Sequence, residues 1–216
     1  MLYAVARDET ICHHFKTHYA ERMHTTDLIV QEVRDRTASN GDYTKQLVKN
    51  AATDTLRRLI ATADVQVDVT LQDDEDEVLF DRIVLHLREL EQRRNKNNER
   101  STSAEKHVGE ASAIVCSVRE RNSGNKVVLL TNDGDASVAA KTQGVDSRHF
   151  GHALVELVCN RRITSEKAWR TFGSANKITA VPSAVTPNSV EEFTCGDTDG
   201  ACITCDKRAT LLSSKL

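Results

Sequence analysis

The sequence predicts an α/β fold in which helices connect parallel strands. Residues 127–130, Val-Val-Leu-Leu, form a short apolar run that is typical of a strand buried on both faces. A polar turn and a helical pattern at 136–143 follow at once, and Gly144 suits the left-handed end of that helix. Residues 2–6 are also followed by acids and a helical pattern, so the order strand, acid, helix occurs twice.

Composition bounds the class of protein. With 216 residues, 39% of them hydrophobic and 28% charged, the chain is long enough for one domain with a core. The formal net charge of −3 gives no general attraction to nucleic acid, so a polyanion would need a local basic patch or metal ions. The first residues lack the pattern of a signal peptide, and no apolar run approaches the roughly 18 residues that span a bilayer. We therefore expect a cytoplasmic protein without a membrane partner.

The two prolines, Pro182 and Pro187, mark the end of the predicted domain. We place one folded domain at residues 1–172 and a poorly ordered tail at 173–216. The tail holds Cys195, Cys202 and Cys205 in the form C-x₆-C-x₂-C. Because structural zinc normally takes four ligands and the tail has no histidine, incidental or redox-sensitive cysteines are the favoured interpretation.

Apolar positions at helical or alternating spacing predict the remaining elements. In chain order these are a strand at 2–6, helices at 11–22, 27–36 and 43–63, an extended segment at 65–69, helices at 78–94 and 104–121, the strand at 127–130, helices at 136–143 and 150–159, and a last helix carrying Trp169 and Phe172. The acidic run at 73–77 suits a helix start, where the macrodipole favours negative charge.

Acids stand where two of the predicted strands end. Asp133 and Asp135 follow the strand at 127–130, and Asp8 holds the corresponding place after residues 2–6. In open parallel sheets, ligands bind beyond the carboxyl ends of the strands. A helix N-cap is the alternative interpretation of Asp8.

Two further acids border apolar helix faces. Glu32 lies three and four positions after Ile29 and Leu28, and Glu110 lies four positions before Ile114. Carboxylates are almost never fully buried without a partner, so each belongs either to a salt bridge or to a site.

Acids that converge on one point raise each other's pKa unless a cation joins them. Mg²⁺ and Mn²⁺ prefer oxygen ligands and favour phosphate-bearing substrates. One or two such ions can activate a water for phosphodiester cleavage without a protein nucleophile.

Four segments together resemble the PIN-domain ribonucleases. Residues 8–12, Asp-Glu-Thr-Ile-Cys, are similar to the opening motif of that family, and residues 30–33, Val-Gln-Glu-Val, resemble its second acidic motif. Residues 109–114, Gly-Glu-Ala-Ser-Ala-Ile, match its Gly-Glu-Ala-x-Ala-Ile helix. Residues 129–135, Leu-Leu-Thr-Asn-Asp-Gly-Asp, resemble its strand exit and are the most specific match. The order is right, and the resemblance spans roughly residues 1–160.

The resemblance implies a three-layer α/β/α fold with a central parallel sheet and a ribonuclease site that uses Mg²⁺ or Mn²⁺. The catalytic acids it implies are Asp8, Glu32, Glu110 and Asp133. The metal ligands it implies are Asp8, Glu110 and Asp133, assisted by Asp135, with support from the hydroxyls of Thr10 and Thr131. Residues 64–101 exceed what compact relatives need and are predicted to be an insertion.

The resemblance also implies partners. RNA would be the substrate, and many relatives are toxins that form homodimers and bind an antitoxin protein. The candidates for contacting RNA phosphates are Arg148, His149, Arg161, Arg162 and the basic segment 93–100. A catalytically inactive PIN-like module that binds protein or RNA is the alternative. A phosphatase or response-regulator domain ranks last, because it leaves Glu32 and Glu110 without a role.

Overall fold

The structure, a computed structural model, describes residues 2–6, 8–19, 23–38, 43–94, 106–177 and 186–193. In these ranges the elements are α1 Leu2–Val5, α2 Glu9–Tyr19, β1 Met23–Thr26, α3 Asp27–Ala38, α4 Tyr43–Ala61, β2 Val65–Asp68, α5 Asp74–Arg94, α6 Val108–Asn122, β3 Val128–Leu130, α7 Gly134–Thr142, β4 Asp146–Arg148, α8 Phe150–Cys159, α9 Ser165–Asn176 and a 3-10 turn Val190–Phe193.

The described strands form two small parallel sheets. In one, β1 pairs with β2 in a register that places Met23 opposite Val65. In the other, β3 pairs with β4, with Val128 opposite Asp146. Helices connect both pairs, as parallel strands require. A helix-rich protein with small parallel sheets is compatible with the predicted α/β class.

The predicted strand at residues 2–6 is wrong, because Leu2–Val5 form the helical turn α1. Ala4 and Val5 are only 1% and 3% exposed and join the core beside α2 and α4. A short apolar run does not distinguish a buried strand from a buried helical turn by periodicity. A helical turn keeps its hydrogen bonds local, whereas a strand needs a neighbouring strand.

The helix α6 connects two apolar clusters. One cluster gathers buried side chains from α1, α2, β1, α4, α8 and α9, and the other gathers them from α5, α6, β3 and α7. α6 packs against both β1 and β3, and its Ser112 hydroxyl lies 2.6 Å from the hydroxyl of Thr26 at the end of β1. The carboxyl ends of both sheets are therefore held by one helix.

Two predicted boundaries fall inside packed structure. The described part of the predicted insertion supplies β2 and α5, and Ile83 and Leu87 of α5 are almost fully buried against α6 and α7. The domain end predicted at residue 172 lies within α9, and Phe193 is fully buried in the first cluster. The three tail cysteines lie outside the described residues.

Candidate functional site

The first turn of α6 approaches α3 closely at Gly109. A β-carbon at Gly109 would collide with the carboxylate of Glu32, so any larger residue there would require this side chain to move. Glu110 is the next residue of α6, and both acids are half-buried. The structure therefore brings the segments of the second and third acidic motifs together.

The turn after β3 is shaped by its own side chains. The Asp133 amide donates to the hydroxyl of Thr131 at 3.0 Å, and the Ala136 amide donates to Oδ1 of Asp133 at 2.9 Å. Asp133 is thus the N-cap of α7, a role in which a carboxylate satisfies an otherwise unpaired amide. Thr131 acts on the backbone of this turn through its hydroxyl.

Asp135 carries an electrostatically unfavourable charge. Burial raises its pKa, Arg94 lowers it, and the nearby carboxylates of Asp133 and Glu91 raise it further, so the pKa stays above its usual value. Arg94 Nη1 lies 2.9 Å from Oδ2 of Asp135, but that oxygen receives no hydrogen bond. His107, which precedes α6, also acts on Asp135 and so places this turn at the start of α6.

A buried contact between Glu91 and His107 lies at the same place and was not predicted from the sequence. His107 Nε2 lies 2.9 Å from Oε2 of Glu91, and both side chains are 5% exposed. Lys106 also pairs with Glu91, and this hydrogen bond is the main reason that the Glu91 pKa lies below its usual value. Glu91 follows Ile83 and Leu87 on the buried stripe of α5. An acid in an apolar stripe, the signal used for Glu32, would have found it.

We call Glu32, Glu91, Glu110, Asp133 and Asp135 the acidic corner. Its members come from α3, α5, α6 and the N-cap and first turn of α7, and α6 packs against each of the other three helices. Within the described residues, no three His, Cys, Asp or Glu side chains are placed to hold one metal ion. Carboxylate oxygens are the ligands that a hard cation prefers, and at Asp135 the nearby carboxylates of Asp133 and Glu91 raise the pKa.

The contacts of Asp8 lie elsewhere. Its Oδ1 accepts the Ile11 amide at 3.1 Å, and its Oδ2 lies 2.5 Å from Lys167 of α9. Burial alone would raise the Asp8 pKa, but the hydrogen bonds from Lys167 and Ile11 bring it below its usual value. Asp8 is therefore a helix N-cap with a compensated charge, and Thr10 beside it is exposed.

The predicted RNA contacts have different surroundings. Arg148 Nε lies 3.4 Å from Glu156, and His149 is 7% exposed, with a pKa that burial lowers to about 4. His149 is consequently neutral at physiological pH and is not a surface cation. Arg161 and Arg162 are exposed after α8. Of the basic segment, residues 93 and 94 end α5, and 95–100 lie outside the described residues.

The described cysteines offer no nucleophile. Cys12, Cys116 and Cys159 are buried. Burial raises the pKa of Cys116 to about 11, which keeps the thiol protonated and unreactive at neutral pH.

Comparisons of the chain with protein families, with curated proteins and with solved structures found no match. None of the helices in the described ranges has the length and apolar character needed to cross a bilayer.

Proposed function

We propose that this protein is a metal-dependent endoribonuclease of the PIN class that cleaves RNA phosphodiester bonds at the acidic corner. One observation carries the proposal. The acids of three motifs, Glu32, Glu110 and Asp133, stand on elements that meet at the first turn of α6. Two of these acids follow the carboxyl ends of β1 and β3, which is the usual place for a ligand in a parallel sheet, and this supports the proposal.

Asp135 supports a cation at this corner. Its raised pKa and its oxygen without a hydrogen bond indicate a carboxylate that lacks full compensation. Mg²⁺ or Mn²⁺ would be held by Asp133, Asp135 and Glu110 once these side chains move together, because the described carboxylates are not placed to share one ion. The ion would supply an activated water and stabilise the leaving oxygen. Arg94 would have to leave Asp135 or turn toward the substrate, because it now pairs with this ligand.

The residues of the chain have separate tasks in this proposal. Thr131 fixes the turn so that Asp133 keeps one carboxylate oxygen on α7 and the other available. Gly109 lets Glu32 approach the backbone of α6 beside Glu110. His107 and Lys106 occupy both carboxylate oxygens of Glu91, so Glu91 orders the residues before α6 rather than serving as a metal ligand.

The wider expectations belong to the same proposal. A three-layer fold with one central sheet, RNA as substrate, a homodimer, a toxin role with an antitoxin partner, and a cytoplasmic location all rest on the resemblance of the four motifs. None of them is needed for the test of the chemistry.

The decisive experiment is cleavage of a labelled RNA by the full chain with Mn²⁺, compared with Asp133→Asn. Asparagine keeps the N-cap oxygen but removes the charge, so the variant should fold while losing at least about 100-fold in rate. A chelator should abolish the activity of the unchanged chain. Equal cleavage by the two proteins, or cleavage that survives the chelator, would contradict the proposal.

The second candidate is a PIN-like module that binds protein or RNA without catalysis. Two observations favour it: Asp8 is compensated by Lys167, and the described acids form no three-ligand group. Calorimetric titration with Mn²⁺ separates the two candidates. A catalytic site should bind the ion in the unchanged chain and lose binding in Asp133→Asn, whereas an inactive module should bind none.

A further inference from the structure

Three side chains cap the first turn of α8 in the same way. The amide of Phe150 donates to Oδ1 of Asn132 at 2.9 Å, and the amide of Gly151 donates to Nδ1 of His149 at 3.0 Å. The amide of His149 itself donates to Nδ1 of His152 at 3.2 Å. We call Asn132, His149 and His152 the α8 cap.

These contacts fix the opposite end of each side chain as a donor. An imidazole nitrogen that accepts an N–H carries no proton, so in each neutral histidine the proton is on Nε2. Burial lowers the pKa of His149 to about 4 and that of His152 to about 3, so both rings are neutral at pH 7. Because Oδ1 of Asn132 accepts the Phe150 amide, its Nδ2 group, which carries two protons, points away from the helix.

None of these three donors has an acceptor. Nε2 of His149, Nε2 of His152 and Nδ2 of Asn132 are all buried atoms without a hydrogen-bond partner. The two rings are stacked, with centroids 3.7 Å apart and 31° between their planes. Buried donors without acceptors are rare in folded proteins, because each loses its bonds to water and gains nothing.

The location of the cap indicates what is missing. Asn132 directly precedes Asp133, and His149 directly follows β4, so the cap lies at the carboxyl ends of β3 and β4. The first amides of α8, at the positive end of the helix dipole, donate to the capping side chains. Arg148, which pairs with Glu156, is close enough to lower the pKa of both rings. A group with oxygen acceptors and negative charge complements such a set of donors, whereas a cation does not.

We propose that the α8 cap is a binding site for a phosphate oxyanion, which the Nε2–H groups of His149 and His152 and the amide of Asn132 hold through hydrogen bonds. If the proposed function is right, this oxyanion is a phosphate of the RNA chain bound beside Asp133. The three atoms are covered from solvent, so the ligand must displace the groups that cover them. The site would add a phosphate contact to the proposed function, but its test does not depend on RNA cleavage.

Imidazole nitrogen NMR on the full chain, with a chelator present, gives the first test. Both histidines should show the neutral Nε2–H form at pH 7, and titration with inorganic phosphate should shift their signals to saturation. A short RNA in a parallel titration distinguishes a free phosphate from a phosphodiester as the better ligand. The proposal would be overturned if either ring carried its proton on Nδ1. It would also be overturned if neither phosphate nor RNA gave a saturable response, because ordered water alone would then satisfy the donors.

Asn132→Asp is the sharpest variant. Aspartate keeps the oxygen that accepts the Phe150 amide but replaces the donor with a negative oxygen, so the affinity for phosphate should fall at least about tenfold. Asn50→Asp on the exposed face of α4 is the matched control, since it adds the same charge and keeps the acceptor for Gln46. Equal loss in both variants, or no loss in Asn132→Asp, would refute the site.

His149→Asn removes one of the donors while keeping the N-cap of α8, so that a loss of binding is not caused by unfolding. Asparagine is a good N-cap and can replace Nδ1 as the acceptor, but it cannot place a donor where Nε2–H lies. The affinity should fall about 3- to 10-fold with the helix content unchanged. Unchanged affinity would contradict a role for this ring. Phosphate binding that persists in a chain without ribonuclease activity would separate failure of the proposed function from failure of the site.

Discussion

Asp8 and Asp133 each stand directly before a helix, and each accepts a hydrogen bond from the amide three residues later. Their surroundings differ. Lys167 compensates Asp8 and helps to lower its pKa, whereas Asp133 has Asp135 as a close neighbour whose pKa is raised. The comparison teaches that a motif of acid before helix fixes the local hydrogen bond, while the elements packed around it decide whether the charge is available for chemistry.

The largest expected difference between the two helix starts is in activity. If Asp133 holds the metal and Asp8 only caps α2, Asp8→Asn should change the rate of Mn²⁺-dependent RNA cleavage by less than about twofold, against about 100-fold for Asp133→Asn. The measurement is the single-turnover rate with the same RNA. If Asp8→Asn lost as much cleavage rate as Asp133→Asn, Asp8 would have to be a residue of the active site, and the two helix starts would not differ in function.

Stability should show the opposite order. Asp8→Ala removes both a cap and an ion pair and should lower the free energy of unfolding by about 2 kcal/mol, whereas Asp133→Ala removes a cap alone and should cost about 1 kcal/mol. Urea denaturation measures both. The asparagine variants are the controls, because they keep the capping oxygen. Equal costs for the two alanine variants would mean that Lys167 contributes nothing.

The ion pair itself can be removed from the other side. Lys167→Met should lower the free energy of unfolding by about 0.5 kcal/mol at pH 7, a small value because the Lys167 side chain is 42% exposed. The Asp8 pKa is lowered in the folded state, so its contribution is present above the ordinary value of 3.8 and is lost as the pH falls below it. The difference between the two proteins should therefore vanish at acidic pH.

Lys141→Met, at an exposed position of α7, is the matched control and should show no such pH dependence. The free energies of unfolding of Lys167→Met and the unchanged chain are then compared below the ordinary pKa of aspartate. If they still differ there, the methylenes of Lys167, and not its charge, stabilise the fold.

Asp135 should respond with the opposite sign. Its pKa is raised in the folded state, so the charged form costs stability at neutral pH and the cost disappears as the carboxyl is protonated. Asp135→Asn should therefore raise the free energy of unfolding by about 0.5 kcal/mol at pH 7 without metal. Thermal unfolding in a chelator measures it, with exposed Asp81→Asn as the control. Destabilisation by Asp135→Asn would show that Arg94 already compensates this charge.

Local chemistry explains what the sequence could predict. A strand at residues 128–130, the helix after Asp133 and the left-handed Gly144 with its φ of 70° are confirmed, because the signals lie within a few residues. The predicted burial of this strand on both faces is wrong, because Val128 is 42% exposed. The cap of α9 is equally local, because the Thr164 hydroxyl accepts the amide of Lys167.

Features that depend on distant partners were not visible. β1 reads Met-His-Thr-Thr and has no apolar run, so its strand conformation depends on pairing with β2. The Glu91–His107 pair joins two helices, and Lys167 reaches Asp8 from nearly the other end of the domain. Because Glu32 and Glu110 both stand beside apolar stripes, the sequence could suggest that they belong to one site. It could not show that Asp8 makes its contacts elsewhere.

The two sheets also differ in how much chain separates their strands. A single short helix, α7, joins β3 to β4, whereas β1 and β2 are separated by both α3 and α4. Closing a shorter loop costs less chain entropy, and local contacts form faster than distant ones. We therefore expect the β3–α7–β4 unit to be ordered early in folding, with β1 and β2 pairing later on a surface that α6 already provides. The strand exit that carries Asp133 would then be ordered before Glu32 reaches it.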